Sequence, residues 1–219
     1  MKKTIVVHSG GMDSSLCLAI AIREYEKEEV LSLSFDFDQR HSAELTQAQK
    51  ICQDWGVEHV VLSISCLKQI TSNALLDHSI AITHTEGAPP NTLFVGRNGL
   101  MARIAAIHAE SLGAHSIYLG VMELEEANSG YRDCSRHYMD LMQQILRIDL
   151  GQADFEIRTP LIKMTKLQTM QLADKMNLLD YLWENTITCY EGMPRFGCGK
   201  CPACKLRNHG YTQYKMSKK

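Results

Sequence analysis

Seven residues near the amino terminus, Ser9 to Ser15, have the composition of a loop that binds phosphate: Ser-Gly-Gly-Met-Asp-Ser-Ser. Glycine has no Cβ atom, so the pair Gly10-Gly11 lets backbone N–H groups approach a phosphate closely. The loop follows an apolar run and opens a predicted helix, so the helix N-terminus and the serine hydroxyls add further donors. Because the carboxylate of Asp13 would repel phosphates, the sequence indicates a bridging Mg²⁺ ion.

Two widespread phosphate loops do not match this stretch. The lysine of G-x-x-x-x-G-K-[ST] is absent, and so is the G-x-G-x-x-G of dinucleotide folds. An ordinary strand-to-helix turn with serine caps would also use glycine and serine here. A lone Gly-Gly pair would favour that turn, whereas the whole string Ser-Gly-Gly-x-Asp-Ser between a first strand and a first helix favours the phosphate loop.

Four cysteines crowd the carboxyl-terminal region: Cys189, Cys198, Cys201 and Cys204. A reducing compartment disfavours structural disulfides, so a tight cluster of this kind predicts a metal site. Four thiolates joined by short turns rich in glycine and proline are typical of a closed tetrahedral zinc site, whose role is structural. An iron–sulfur cluster and a set of free thiols are the alternatives, since C-x2-C-x2-C also opens a ferredoxin pattern.

The composition is that of an ordinary globular protein, with 219 residues of which 45% are hydrophobic and 22% charged. A net charge of −2 lacks the basic excess of nucleic-acid binders. We therefore expect a small-molecule substrate and no nucleic-acid partner. No apolar run reaches about 18 residues, and the first apolar run is too short for a signal peptide. The expectation is a cytoplasmic protein with no membrane partner.

The elements that must position these residues alternate between strand and helix. The hydrophobic pattern predicts an α/β fold, a Rossmann-like parallel sheet with helices on both faces. An irregular stretch at Leu76–Phe94 has the length of a binding loop. The predicted domains are 1–180, with the phosphate loop, and 181–219, a small zinc-binding segment packed on it. The predicted strands are Thr4–His8, Val30–Phe37, His59–Ile64, His115–Val121 and Phe155–Arg158, and the predicted helices are Ser14–Glu28, Ser42–Trp55, Asn98–Leu112, Ser135–Ile148 and Thr165–Met176.

Taken together, these motifs resemble one family over nearly the whole chain: 7-cyano-7-deazaguanine synthase of the queuosine pathway, an N-type ATP pyrophosphatase. That family joins a Ser-Gly-Gly-x-Asp-Ser loop to a late four-cysteine zinc site. Further similar strings fall in the same order, at loops facing the carboxyl ends of the predicted strands. They are Gln39-Arg40-His41-x-x-Glu44, Gly96-Arg97-Asn98, Ser129-Gly130-Tyr131 with Asp133-Cys134, and Thr159-Pro160-Leu161 with Lys166.

The resemblance implies a fold of the adenine nucleotide alpha hydrolase type and an ATP-dependent ligase that forms carbon–nitrogen bonds. The implied reaction converts 7-carboxy-7-deazaguanine and ammonia to 7-cyano-7-deazaguanine. ATP adenylates the carboxylate, ammonia gives the amide, and a second activation dehydrates the amide to the nitrile. The implied cofactors are ATP, Mg²⁺ and Zn²⁺, and the implied assembly is a homodimer.

The resemblance also implies roles for individual residues. The expected catalytic residues are Asp13, Ser14 and Lys166, and the metal ligands are the four cysteines. The expected ATP-binding residues are His8, Ser9, Gly10, Gly11, Met12, Asp13, Ser14, Ser15, Leu16, Cys17 and Leu18. The expected substrate-binding residues are Arg40, His41, Arg97, Asn98, Tyr131 and Asp133, with Glu123 or Asp133 accepting from the guanine-like edge.

Several of these residues could instead have a purely structural or surface role. Arg40 and Arg97 could form surface salt bridges, Lys166 could lie in an exposed first turn of a helix, and His41 could be a solvated loop residue. His8 could be structural. The two roles predict different degrees of burial and different side-chain partners for each residue.

Four positions depart from the family pattern: Asp38 and Val95 stand where glycine and proline are usual, and Arg132 and Ser135 where proline and arginine are usual. A paralogous ligase acting on a related 7-deazapurine or another carboxylate is therefore an alternative. A non-catalytic nucleotide-binding zinc module is another. RNA thiolation or lysine ligation is disfavoured by the near-neutral charge and the single-domain length.

Overall fold

Five parallel strands form the central sheet, in the order β3-β2-β1-β4-β5. The computed structural model describes residues 1–40, 42–77, 79–83, 90–124 and 130–218. Short β-branched and apolar runs form β1, β2 and β4 because these strands are buried on both faces of the sheet, whereas the edge strands β3 and β5 are partly exposed. The strands are β1 (Thr4–Val7), β2 (Val30–Asp36), β3 (Glu58–Ser63), β4 (Ser116–Leu119) and β5 (Glu156–Arg158).

The order of the strands reverses at β1. Val7, the last residue of β1, pairs with Leu33 of β2 on one side and with Leu119 of β4 on the other. In open parallel sheets, the crevice at the carboxyl ends of the strands beside such a reversal is the usual ligand site. The phosphate loop follows β1 directly, so the topology places it in this crevice.

Helices cover both faces of the sheet, as the sequence predicts. Ile5 belongs to a core with apolar residues of α3 and α4, whereas the next residue, Val6, belongs to a core with residues of α1, α2, α5 and α6. This division follows from the alternation of side chains along a strand. The helices are α1 (Met12–Glu24), α2 (Ala43–Trp55), α3 (Arg97–Leu112), α4 (Arg136–Leu150), α5 (Lys166–Lys175), α6 (Leu179–Asn185) and α7 (Pro202–Ser217).

The first predicted helix is too long by about one turn. α1 ends at Glu24, and a separate 3-10 helix, Lys27–Glu29, leads into β2. The side chain of Glu29 accepts from the backbone N–H of Glu26, and this capping box starts the short helix independently. The boundary therefore depends on a local hydrogen bond that the apolar pattern does not reveal.

The carboxyl-terminal segment is more regular than its polar composition suggests. α7 has Pro202 in its first turn, and the sulfur of its N-cap Cys201 accepts from the backbone N–H of Cys204. Its buried residues include Arg207 and Tyr214. Among the helices in the described part of the chain, none has both the length and the apolar character needed to cross a bilayer.

Candidate functional site

The phosphate loop is held open by its own serines and by the neighbouring helix α2. Gly10 has φ +81°, and a Cβ atom there would lie 2.2 Å from the backbone oxygen of Glu44 in α2. Both the backbone conformation and the space at this position therefore require glycine. The hydroxyl of Ser14 lies 3.1 Å from the backbone nitrogen of Ser9 and 3.1 Å from the carbonyl oxygen of Gly11.

Lys166 contacts the phosphate loop, although it lies 153 positions after Asp13 in the sequence. Its side chain is 4% exposed, and its Nζ donates to the two carboxylate oxygens of Asp13 at 2.5 and 2.6 Å. The alternative of an exposed first helical turn is therefore wrong for Lys166. The pair also changes the interpretation of Asp13, because the structure provides a cation for this carboxylate without Mg²⁺.

Helix α7 closes over the stem of this lysine. A Cβ atom at Gly210 would lie 2.7 Å from Cγ and 2.9 Å from Cβ of Lys166. Glycine thus allows α7 to approach α5 closely enough to exclude water from the lysine stem. The segment before the cysteines also contacts the loop, since the backbone N–H of Ile187 donates to the carbonyl of Gly10 at 3.2 Å.

A cavity of about 330 Å³ lies at the carboxyl ends of the strands, beside this pair. The structure brings most of the predicted site residues to its wall. These are His8, Ser9, Gly11, Met12, Asp13, Ser14, Arg40, Arg97, Asn98, Tyr131 and Lys166. The cavity therefore joins the phosphate loop to the segments expected to bind the acceptor.

Other predicted site residues lie behind that wall. The side chains of Leu16, Cys17 and Leu18 have no exposed surface and pack in the core beneath the loop, as does the fully buried Ser15. Gly10 supports the wall from behind through its contact with α2. His41 lies outside the described residues.

Arg97 and Arg40 differ in how far their guanidinium groups are already engaged. Among the described residues, the guanidinium of Arg97 has no hydrogen-bonding or ion-paired partner, and it lies 5.8 Å from the ring centre of Phe37. Arg40 instead donates to the carbonyl of Ile80 at 3.0 Å and lies 3.4 Å from a carboxylate oxygen of Glu191. Arg97 is thus the cation that is free to meet an anionic ligand.

The predicted acceptor residues around Asn98 form a supporting network. Asp133 is 4% exposed, and its carboxylate accepts from the backbone N–H of Asn98 at 2.8 Å, at the N-terminus of α3. The Asn98 amide donates to the sulfur of Cys134 at 3.4 Å. Burial raises the pKa of Cys134 to about 12, so this thiol is not a nucleophile at neutral pH. Tyr131 reaches the cavity, with its hydroxyl 2.5 Å from Thr92 Oγ1.

The expectation that Glu123 or Asp133 reads the edge of a base is not supported. Glu123 accepts from the backbone N–H of Arg136 at 2.7 Å and forms an ion pair with Lys163. Neither carboxylate lines the cavity. Both instead stabilise helix N-termini, where a negative charge is favourable.

His8 anchors the loop from below. Its Nε2 lies 3.0 Å from the hydroxyl of Ser15, and its Nδ1 lies 2.9 Å from the hydroxyl of Ser32, which also contacts His59. Burial lowers the pKa of His8 to about 3, so the ring is neutral at physiological pH. The sulfur of Cys52 lies 3.7 Å from His8 Nδ1. The structural alternative for His8 is thus supported, although the residue also lines the cavity.

Glu44 is a cavity residue to which the sequence analysis gives no role. It lies in the first turn of α2 and belongs to the wall of the cavity. Burial raises its pKa to about 7, and the nearby charge of Arg97 opposes this rise only in part. The only sequence signal for it is its position in the string Gln39-Arg40-His41-x-x-Glu44.

The four cysteines converge as the sequence predicts. Their sulfur atoms all lie within 4.8 Å of one another, and those of Cys198 and Cys204 are 4.0 Å apart. Zinc–sulfur bonds of about 2.3 Å in a tetrahedron place the sulfurs about 3.8 Å apart. Thiolates around a four-iron cluster surround a larger body and lie farther apart. The observed spacing fits a single tetrahedral ion.

The turns around this cluster direct backbone donors at the sulfurs. The N–H groups of Cys198 and Glu191 both point at the sulfur of Cys189, at 3.3 and 3.4 Å. A Cβ atom at Gly197 would lie 2.3 Å from the sulfur of Cys204. Arg207, 2% exposed, donates to the carbonyls of Trp183 and Thr186, which fixes the chain just before Cys189.

The fold is similar to those of larger proteins of known structure. The U34-tRNA thiolase NcsA from Methanococcus maripaludis, solved with its [4Fe-4S] cluster, matches at 16% identity and a TM-score of 0.51, over 99% of this chain and 69% of that chain. A 4-thiouridine synthetase, solved with RNA and bound ATP, matches at 13% identity and a TM-score of 0.50, over 98% and 53%. At these identities the likeness shows a shared fold.

The NH3-dependent NAD synthetase from Campylobacter jejuni subsp. jejuni NCTC 11168 is also similar, at 17% identity and a TM-score of 0.46. This match covers 82% of this chain and 66% of that chain. The present chain thus spans between about half and two thirds of the length of these three proteins.

A family model described as queuosine biosynthesis protein QueC matches residues 3–215. The match includes the phosphate loop, the cavity and the four cysteines. Because it covers nearly the whole chain, the protein belongs to the QueC family.

Proposed function

We propose that this protein converts 7-carboxy-7-deazaguanine and ammonia to 7-cyano-7-deazaguanine at the expense of ATP. The observation that carries the proposal is the single cavity shared by the phosphate loop, Lys166 and Arg97. One wall can hold the phosphates of ATP, and another presents Arg97, whose guanidinium forms no ion pair with a described residue. A carboxylate that reacts at the α-phosphate needs both within one enclosure.

The chemistry proceeds in two activations. In the first, a carboxylate oxygen attacks the α-phosphorus, pyrophosphate leaves, and an acyl-adenylate forms. Ammonia then attacks the acyl carbon, AMP leaves with that oxygen, and a proton is lost to give the amide. In the second, the amide oxygen attacks the α-phosphorus of a second ATP, pyrophosphate leaves, and loss of AMP and of both protons on the nitrogen gives the nitrile.

The residues of the chain supply charge and position rather than covalent catalysis. Ser14 and the loop N–H groups face the phosphates, and Lys166 neutralises charge that develops on them. Arg97 binds the carboxylate of the acceptor. Tyr131, fixed through Thr92, offers an aromatic ring to the planar base. His41 stays a prediction for this site.

We propose that Cys189, Cys198, Cys201 and Cys204 hold a structural zinc ion. The sulfur spacing and the backbone donors support this assignment over an iron–sulfur cluster and over free thiols. When bound, zinc would fix the turn between Ile187 and α7, and both ends of this segment touch the phosphate-loop region. The division into domains at about residue 180 stays a prediction.

Mg²⁺ is proposed as the counter-ion that accompanies ATP. Asp13 could be a ligand only by giving up part of its contact with Lys166, since both of its oxygens accept from that ammonium group. A single, already neutralised carboxylate is a poor site for Mg²⁺ on its own. Phosphate oxygens would supply further ligands.

The four departures from the family pattern lie outside the cavity wall. Asp38 has φ +60°, a left-handed backbone conformation that glycine usually adopts. Its carboxylate forms an ion pair with Lys68. Val95 is 87% exposed, and the Ser135 hydroxyl accepts from the backbone N–H of Tyr138 at the start of α4. Their positions favour the family substrate over that of a paralogue.

A homodimer is proposed from the family resemblance. Apolar side chains exposed on α3 and α4 support it, namely Ile107, Leu141, Ile145 and Ile148. Sedimentation equilibrium should give twice the chain mass, and a monomer mass at all concentrations would contradict the dimer.

The reaction is tested by incubating the purified protein with ATP, ammonium and a panel of 7-deazapurine carboxylates. We expect the nitrile of 7-carboxy-7-deazaguanine by mass spectrometry, with AMP and pyrophosphate. Turnover of another carboxylate alone would establish the paralogous ligase. Binding of ATP with no acceptor-dependent AMP would support the non-catalytic module.

A further inference from the structure

Glu44 is fixed in place by the contact between α2 and the phosphate loop. Its carbonyl oxygen lies against Gly10, so closely that glycine alone fits there. Glu44 lines the same cavity as the loop, Arg97 and Lys166, and its carboxylate lies near enough to Arg97 to interact with that charge. The backbone of Glu44 is therefore packed on the phosphate loop, and the residue lies between the phosphate wall and the acceptor wall.

The other charged groups around the cavity do not neutralise Glu44. Asp13 and Lys166 pair with each other, and Arg40 is engaged by Glu191 and two backbone carbonyls. Among the described residues, Glu44 has neither a hydrogen bond to its carboxylate nor an ion pair, and Arg97 is the charged group that influences it. A partly buried carboxylate without a partner is unfavourable, so a ligand that supplies donors would be bound there.

The rest of the cavity indicates the sign and the size of that ligand. A carboxylate repels both the phosphates of ATP and the carboxylate of the acceptor. A small cation with several N–H donors is attracted instead, and the proposed reaction consumes one reactant of this type. At neutral pH, most ammonia in solution is ammonium, which has no lone pair with which to attack.

We propose that Glu44 is the ammonium site of this enzyme and the base that converts bound ammonium to ammonia. This inference rests on the proposed function. The Glu44 carboxylate accepts one proton from ammonium, which leaves neutral ammonia and a neutral carboxyl group. Ammonia then uses its lone pair to form the bond to the acyl carbon, and the bond from that carbon to the AMP oxygen breaks.

The protonation behaviour of Glu44 suits this task. Burial places its pKa at about 7, closer to that of ammonium than an exposed glutamate would be. An ordinary glutamate is too weak a base to compete for this proton. Arg97 limits the rise and so keeps a useful fraction ionised.

The test compares two nucleophiles in the wild type and in Glu44→Gln. Hydroxylamine is largely neutral at neutral pH, so it needs no base to become a nucleophile. With ammonium as the nucleophile, Glu44→Gln should lower kcat/KM for ammonium, measured by AMP formation, by at least about 100-fold. With hydroxylamine, hydroxamate formation should change less than about twofold, and so should acceptor-dependent exchange of pyrophosphate into ATP.

The matched control is Glu110→Gln, a glutamate exposed on α3. It should react with both nucleophiles like the wild type. Raising the pH should rescue Glu44→Gln with ammonium in proportion to the free ammonia present. If Glu44→Gln fails to fold, Glu44→Asp can be used instead. It keeps the negative charge on a side chain that is one methylene shorter, and it should show the same selective loss to a smaller degree.

Equal losses with both nucleophiles, or no loss with ammonium, would overturn the inference about Glu44. If the proposed function itself is wrong, the wild type would give a different result. In that case the wild type itself would show no exchange of pyrophosphate that depends on the 7-deazaguanine carboxylate.

Discussion

The ammonium group of Lys166 contacts both carboxylate oxygens of Asp13, at 2.5 and 2.6 Å, across 153 positions of sequence. This pair joins the N-terminus of α5 to the first turn of α1. The lysine is thereby held beside the phosphate loop before any ligand is present. Such preorganisation reduces the cost of placing charge against a phosphate.

Removal of the lysine charge should affect both stability and turnover. Lys166→Met keeps the stem but leaves Asp13 unpaired, so unfolding in urea should show a loss of about 1–3 kcal/mol. AMP formation should fall by about 100-fold or more. Adding Asp13→Asn should restore part of the stability without restoring turnover. Lys163→Met removes an exposed lysine near the same helix and should leave both quantities unchanged.

Gly210 should tolerate no side chain. Gly210→Ala places a methyl group against the stem of Lys166, so either α7 or the lysine must move. We expect a loss of about 1–3 kcal/mol in the free energy of unfolding and a lower kcat. Thr212→Ala on the exposed face of α7 is the control. Unchanged stability and kcat in Gly210→Ala would show that α7 does not press on this site.

Arg97 should bind the acceptor rather than ATP. Arg97→Ala should raise the KM for the carboxylate by an amount equivalent to about 2–3 kcal/mol, or roughly 30- to 150-fold. The KM for ATP should change little. Arg103→Ala, which removes a partly exposed arginine of the same helix that pairs with Asp149, is the control. A comparable rise in the KM for ATP would place Arg97 on the nucleotide instead.

Cys201 should matter for the metal before it matters for the chemistry. Metal analysis of the wild type should give about one zinc per chain and a colourless protein. Cys201→Ser should lower the zinc content and the Tm, whereas Cys66→Ser, an exposed cysteine outside the cluster, should change neither. A brown protein that contains iron and sulfide would refute the zinc assignment.

Glu44 should give stability a measurable pH dependence. Its pKa is about 7 in the folded protein, against an ordinary value of 4.5. The folded state therefore binds this proton more tightly, and the contribution of Glu44 to the free energy of unfolding falls as the pH rises from about 4.5 to 7. Relative to the wild type, Glu44→Gln should gain about 1–3 kcal/mol above pH 7. A difference that does not vary with pH would contradict the raised pKa.

Local sequence determined much of this protein. The short apolar stretches predict all five strands, and their alternation with helices predicts a parallel sheet, although only the three inner strands are buried on both faces. The phosphate loop was predicted because its glycines, serines and aspartate follow one another within a single turn. The convergence of the cysteines was predicted for the same reason, since three of them lie within seven residues.

Tertiary structure alone decided what those residues face. Lys166 is buried rather than exposed because α7 covers it through Gly210, and no local pattern relates these two positions. Asp133 and Glu123 cap helices instead of binding a base because their partners, Asn98 and Arg136, come from separate segments. The raised pKa of Glu44 depends on the cavity around it. Charges and burial act through space, so sequence spacing predicts them only where the chain contacts itself locally.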